Sequence, residues 1–257
     1  DRDLKLTYGL DYDREKDHQY VDWLGSDSSY LKFTHSNPNN YVSDYGPDTT
    51  IQNTGAFLQG DYALTDRLSI QTGVRYQYIQ ADNDSYYRNG LAASAATYRP
   101  SGSTDSDKFL FNLGSVYKLT DHQQLYANFS QGFSYPDIQR VLRGNSITAN
   151  IDSSGIVPIS VNSYELGWRT NQDNGLTTNL TAFYNTSDKF VSFANSDVRV
   201  VDTDQRVYGA EANVSYPFME NYKVGGTLGY TRGQYKDAAN NWHELNAFTV
   251  APMKGTL

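Results

Sequence analysis

Side chains with chemistry to offer are few and scattered. His18, His35, His122 and His243 share no spacing that would bring two imidazoles onto one metal ion, along a helix or across a hairpin. Asp82-Asn83-Asp84 opens like a calcium loop but continues Ser85-Tyr86-Tyr87, without the glycine and terminal glutamate such a loop requires. Activation of water by a proteolytic site of four side chains needs an acidic pair facing an Asp-x-His pair. Asp82 and Asp84 supply the first, whereas the nearest approaches to the second, Asp17-His18 and Asp121-His122, lack the intervening residue. There is no cysteine, so disulfide and thiolate chemistry are excluded. What remains is recognition: QLYANFSQGFSYPDIQRVLRG, from Gln124 to Gly144, sets an aromatic strand-like segment beneath a Tyr-Pro-Asp turn and a polar loop carrying Arg140 and Arg143.

A loop of that kind needs a scaffold, and the scaffold is legible as alternation. Leu4, Leu6, Tyr8, Leu10 and Tyr12 share one face, opposite Lys5, Thr7, Gly9 and Asp11. The same two-residue period runs through 56–64, 68–78, 108–119, 124–134, 163–169, 176–184, 206–216 and 221–230, and 247–257 completes about ten segments. Segments of about nine to twelve residues suit an oblique bilayer crossing, which takes about 9–11, better than a globular strand of about 5–6. The apolar set is led by 22 Tyr with only 2 Met among 257 residues, as a membrane-interface girdle requires and a Leu/Ile/Val core does not. Net charge is −8, which argues against a nucleic-acid surface. No apolar run approaches a membrane helix, and the opening Asp-Arg-Asp-Leu-Lys-Leu has no signal-peptide core. Short turns near 65–66, 120–122, 173–175 and 218–220 alternate with long polar loops at 14–49, 83–106, 135–160, 189–204 and 236–246. These features predict an all-β fold: an antiparallel up-and-down transmembrane β-barrel with periplasmic turns and extracellular loops.

On specific motifs the chain resembles TonB-dependent outer-membrane receptors for ferric siderophores. LYANFSQGFSYPD resembles that family's mid-barrel aromatic strand with Gly-Phe and a Pro turn; SYELGWRTNQDNGLTTNLTAFYNTSDK resembles its paired strands around Glu165 and Gly167. RVYGAEANVSYPF, with Gly209 and Glu211, and AFTVAPMKGTL follow in the family's order. FLFNLGSVYKLTDHQQLYANFSQGF and VNSYELGWR are most similar to the ferric aerobactin (hydroxamate) receptor branch.

The resemblance implies that residues 1–257 are part of a barrel of about 22 strands, with the plug domain and terminal barrel strands not recognisable in the chain. It implies a bacterial outer-membrane receptor that binds a ferric siderophore at its extracellular mouth, with uptake energised by TonB through a plug. Iron would travel within the siderophore, so neither cofactor nor protein metal site is expected, and no catalysis. Outer-membrane lipid and lipopolysaccharide are further expected partners; nucleic acid is not. A passive porin and, more remotely, a ten-stranded outer-membrane protease are the alternatives.

A chelate at the mouth needs aromatic walls and cationic donors. Trp23, Tyr86, Tyr87, Arg88, Tyr135, Gln139 and Arg140 are the ligand-binding candidates, with Phe133 below them on the outward parity of Leu125 and Phe129. Against this, Trp23 and Tyr86 would also serve as packing within the loops, and Arg140 as a solvated charge or lipopolysaccharide contact. Arg75, Glu165, Arg169 and Glu211 point to the lumen, where inter-strand or plug-facing hydrogen bonds are expected.

Overall fold

A computed structural model describes residues 4–23, 41–44, 46–87, 98–144, 150–152, 154–194, 197–219, 222–246 and 249–257. The first half contains β1 (Leu4–Asp17), β2 (Tyr20–Trp23), β3 (Tyr41–Asp44), β4 (Thr49–Ala63), β5 (Leu68–Asn83), β6 (Tyr86–Tyr87), β7 (Tyr98–Arg99), β8 (Gly102–Lys118) and β9 (Gln123–Ser134). After a helix, α1 (Ile138–Gly144), come β10 (Ile159–Asn171), β11 (Thr177–Ser187), β12 (Phe190–Ala194) and β13 (Asp197–Val201). The chain continues with β14 (Gln205–Met219), β15 (Tyr222–Lys236), β16 (Trp242–Glu244) and β17 (Lys254–Thr256).

Alternation becomes one curtain of strands, in the order β1-β4-β5-β8-β9-β10-β11-β14-β15-β16, with β17 also paired to β15. The pairings are antiparallel between successive long strands, the up-and-down topology that the turn and loop lengths predict. Three ribbons, β2–β3, β6–β7 and β12–β13, stand on the long connections. The long strands overrun the alternating segments at their loop ends: β1 continues to Asp17 and β8 begins at Gly102, inside stretches expected to be loops. There the backbone pairs above the bilayer, where side-chain alternation no longer has to separate lipid from lumen.

The outward face is apolar and unburied by protein, with Leu10 86% exposed. A face this large and apolar is stable only against lipid. Phe109 and Tyr117, Tyr208 and Tyr216, and Tyr222 and Tyr230 are each eight positions apart on one outward face. That spacing is roughly 26 Å along a strand at ~3.3 Å per residue, or about 20 Å in height at a tilt of about 40°. Two girdles thus bracket the hydrocarbon. The upper one includes Phe129, Tyr164, Tyr184 and Tyr208 in a row across four strands, with ring centroids 5.1, 6.4 and 6.2 Å apart.

The inner face is held by polar side chains that reach across strands. Arg75 donates from both terminal nitrogens to Asp11, at 2.6 and 2.7 Å, spanning β4 between them. Its guanidinium lies flat over Gly55, where any Cβ would displace it. Arg169 Nε donates to Gln124 at 2.9 Å, and the Tyr126 hydroxyl meets Thr181 Oγ1 at 2.6 Å. Arg75 and Arg169 therefore make the inter-strand bonds expected of them. Glu165 and Glu211 share the inner face but make no side-chain hydrogen bond to a described residue.

In the final segment, among the described residues 249–257, pairing is confined to Lys254–Thr256, and Trp242–Glu244 pairs just ahead of it. Between them Leu245 donates its N–H to Gly233 O at 2.8 Å and Val250 to Asn246 O at 3.1 Å. Pro252 has no N–H to offer a ladder, which suits it to the interruption.

Candidate functional site

The described parts of the long connections lie at one end of the curtain, where α1 packs against several of them. Pro136 and Asp137 start it: the Asp137 carboxylate accepts the Arg140 N–H at 3.0 Å, and its carbonyl accepts that of Val141 at 3.1 Å. Ile138, Val141 and Leu142 fall at i, i+3 and i+4 and are buried together with Ala81, Tyr86, Ile151 and Ile156. Ile51, Tyr135 and Val191 pack around them. Ile51 and Ala81 are register partners on the inner parity of β4 and β5, so the helix is seated inside the mouth. Burying each large apolar side chain contributes about 1.5–3 kcal/mol, which holds a seven-residue helix too short to persist alone.

Polar groups stitch this seat to its neighbours. Gln139 Nε2 donates to the carbonyls of Asp17 and Pro47, at 3.1 and 3.0 Å, on the β1–β4 connection. The Tyr86 hydroxyl donates to Leu142 O at 3.0 Å, and Arg143 Nη1 to Gln19 Oε1 at 3.2 Å. Asn83 donates to the carbonyls of Asp84 and Pro100, and its Oδ1 accepts the Ile151 N–H at 3.0 Å. The Asp-Asn-Asp sequence is thereby a loop brace. Among the described residues no three His, Asp or Glu side chains are grouped to hold a metal ion.

The candidate ligand residues separate in this frame. Tyr86 and Gln139, only 5% and 2% exposed, are inside the loop core, with their donors on loop carbonyls. Gln139 Oε1 is buried with no hydrogen-bond partner. Tyr135 is half-buried at the edge of the apolar cluster and donates to Ser106 Oγ at 3.3 Å. Arg140 is exposed on the face of α1 away from the core. Trp23 pairs with Tyr41, and Tyr87 with Tyr98, but both side chains lie outside the described residues, as does Arg88 altogether. Below the mouth, Lys108 Nζ stands 5.7 Å from the centroid of Phe133 and donates to Ser160 Oγ at 2.5 Å. The sequence reading missed Asn83 and α1 itself; the Pro-Asp cap and the i, i+3, i+4 apolar spacing are signals that point to the helix.

Several of the described charges around the rim are paired. Asp48 accepts from His18 Nδ1 at 2.5 Å and meets Lys16 at 3.5 Å, which together keep its carboxyl below the ordinary range. Asp202, with Asp188 beside it, raises Lys189. In the loop after β15, Asp237 accepts the backbone N–H of Asn241 and of Ala239, both at 2.9 Å, and meets His243 Nε2 at 2.7 Å. The Asn241 N–H first, then His243, lower its carboxyl to about 2. A depressed carboxyl stabilises the loop fully above the ordinary value of 3.8, and this stabilisation is lost as pH falls through about 2. A carboxyl-carbon NMR titration should accordingly place the Asp237 midpoint near 2; a midpoint near 4, the ordinary aspartate value, would show that these bonds are absent.

With wall and mouth in view, the comparisons decide the family. The family model described as "TonB dependent receptor-like, beta-barrel" matches residues 1–254. This chain belongs to that family. The receptor barrel is therefore an outer-membrane structure and not an enzyme. It is 32% identical to a "Ferric aerobactin receptor" of Klebsiella pneumoniae over 98% of its own length and 37% of that protein. It is 30% identical to a "Rhizobactin receptor" of Rhizobium meliloti (strain 1021), over 94% of this chain and 35% of that one. Among solved structures, "Copper transporter OprC" superposes with a TM-score of 0.73 at 18% identity, over 98% of this chain and 38% of that chain, a likeness of fold. The receptor barrel thus spans 37% and 35% of the length of these two curated relatives.

Proposed function

We propose that this barrel is part of a receptor for a ferric siderophore of the hydroxamate type, aerobactin being the particular candidate, bound at the mouth around α1. The observation that carries the reading is 32% identity over 98% of the chain to a ferric aerobactin receptor. The mouth supports it: an exposed Arg140 and a half-buried Tyr135 stand on a loop already docked, so little ordering entropy is lost on binding. Tyr86 and Gln139 then serve as the supports that aim α1. The iron remains in its chelate, TonB supplies the energy through a plug, and lipopolysaccharide surrounds the wall. Titration of the full-length receptor with ferric aerobactin, ferric citrate and a ferric catecholate, read by tryptophan quenching, should show preference for the first. Equal affinity for all three would overturn the hydroxamate assignment. Arg140→Gln should weaken the preferred chelate by about tenfold, the loss of one charge-assisted hydrogen bond.

A further inference from the structure

Above the upper girdle one strand loses its neighbour. β5 pairs with β8 from Leu68 opposite Tyr117 up to Asn83 opposite Gly102. On the other side β9 pairs with β8 only from Gln124 to Ser130, and then leaves toward α1. Backbone alternation shows which groups face the space so opened. Asn112 O accepts the Thr72 hydroxyl at 3.2 Å on the β5 side, while the Phe111 N–H is donated to Gln131 Oε1 at 3.1 Å on the β9 side. Ser101 O, of the same parity as Phe111, accepts Asn150 Nδ2 at 2.9 Å. Between these two anchors Ser103, Asp105, Asp107 and Phe109 turn their N–H and C=O groups toward the gap. Among the described residues none of those groups has a hydrogen-bond partner there, and all four residues are exposed. The result is an open sheet edge in water, about 20 Å long at ~3.3 Å per residue.

Side chains decide what such an edge accepts. Asp105 and Asp107 stand on the outward face of β8, next to Asp82 on β5, which accepts the neutral amide of Gln80 at 3.2 Å. The cation in register with Asp105 is Arg14, three strands over on β1. That is about 14 Å at ~4.8 Å per strand, beyond the screening length of physiological salt. The edge is therefore acidic. A second copy of the chain does not suit it: antiparallel pairing of two such edges about Ser106 would set Asp105 opposite Asp107 twice, a destabilising like-charge arrangement. On the inner face, Tyr135 donates to Ser106 Oγ at 3.3 Å and Lys108 to Ser160 Oγ at 2.5 Å, tying β8 to the chain beyond the gap.

We propose that the extracellular edge of β8, over 103–109, docks an extended cationic segment of a soluble protein, which adds to the sheet as a further strand. A polypeptide carries donors and acceptors at the repeat of the edge, and lysine or arginine at its alternate positions would face Asp105 and Asp107. The site requires the outer-membrane placement of the wall and is independent of which chelate the mouth accepts.

The test uses the full-length receptor in nanodiscs and a capped seven-residue peptide that alternates lysine with threonine. At millimolar peptide, hydrogen exchange followed by mass spectrometry should slow about tenfold over 103–109 and stay unaltered over 124–130. The same peptide methylated on every backbone nitrogen keeps its charge and should give no protection, nor should a glutamate–threonine peptide. Asp107→Pro removes an N–H that faces the gap and leaves the β5 ladder intact, so it should weaken the lysine peptide about tenfold. Asp107→Asn should weaken it about threefold and serves if the proline variant does not assemble. Protection over 103–109 before any peptide is added would overturn the proposal, by showing the edge already filled within the receptor. Equal protection by the methylated or the glutamate peptide, or none by the lysine peptide, would overturn it as well.

Discussion

Gly209→Ala should destabilise the barrel by about 2 kcal/mol or more, the upper range for overpacking a tight site. Gly209 pairs with Thr231 at the β14–β15 junction, and a Cβ there would collide with the Tyr230 carbonyl oxygen and lie 2.8 Å from the Phe183 ring. The ring is able to rotate away, but the carbonyl belongs to the adjacent strand, so relief requires shifting the backbone. Gly229, on the same pair of strands, is the matched control because a Cβ there meets nothing within 4 Å. Gly229→Ala should be neutral, or stabilising by up to about 1 kcal/mol through the unfolded chain. Urea titration of the full-length receptor in lipid vesicles distinguishes the two. Coincident midpoints for both variants would show that the strands accommodate a methyl group at Gly209.

Leu142→Ala should release α1 and disable the mouth without opening the wall. Leu142 is 1% exposed at the centre of the loop core, and truncation of such a side chain costs about 2–5 kcal/mol. A seven-residue helix has no intrinsic stability to offset that loss, so undocking is the expected response. Amide exchange over 138–144 should then lose protection, while exchange in the long strands stays as in the parent. Under the proposed function, chelate affinity should fall by at least about tenfold, since each ~1.4 kcal/mol of docking energy lost corresponds to a factor of ten. Retained affinity with unprotected amides would show that the ligand does not depend on α1.

The wall was legible because its pattern is local. Leu4 to Tyr12 displays its lipid and lumen faces within one strand, and the next strands repeat the display without reference to their partners. The turn and loop asymmetry was equally readable, since short turns and long loops are counted along the chain. In the last segment only Lys254–Thr256 of the described residues joins the sheet, because alternation does not reveal how far a neighbour offers a continuous ladder.

The mouth was legible only as a location. Gln139 and Tyr86 look like binding residues by type, yet their roles depend on groups far away in the chain: Gln139 bonds Asp17 across 122 positions, and Tyr86 bonds Leu142 across 56. Arg206 gives no sign of its surroundings until strand register brings Gln234 and Trp242 beside it. By itself, then, the amino-acid order determined an antiparallel membrane wall and which end carries the loops, because lipid and water sort side chains at a period of two. Only the tertiary structure decided which loop side chains are spent on packing and which stay exposed, because burial there depends on loops converging from distant parts of the chain.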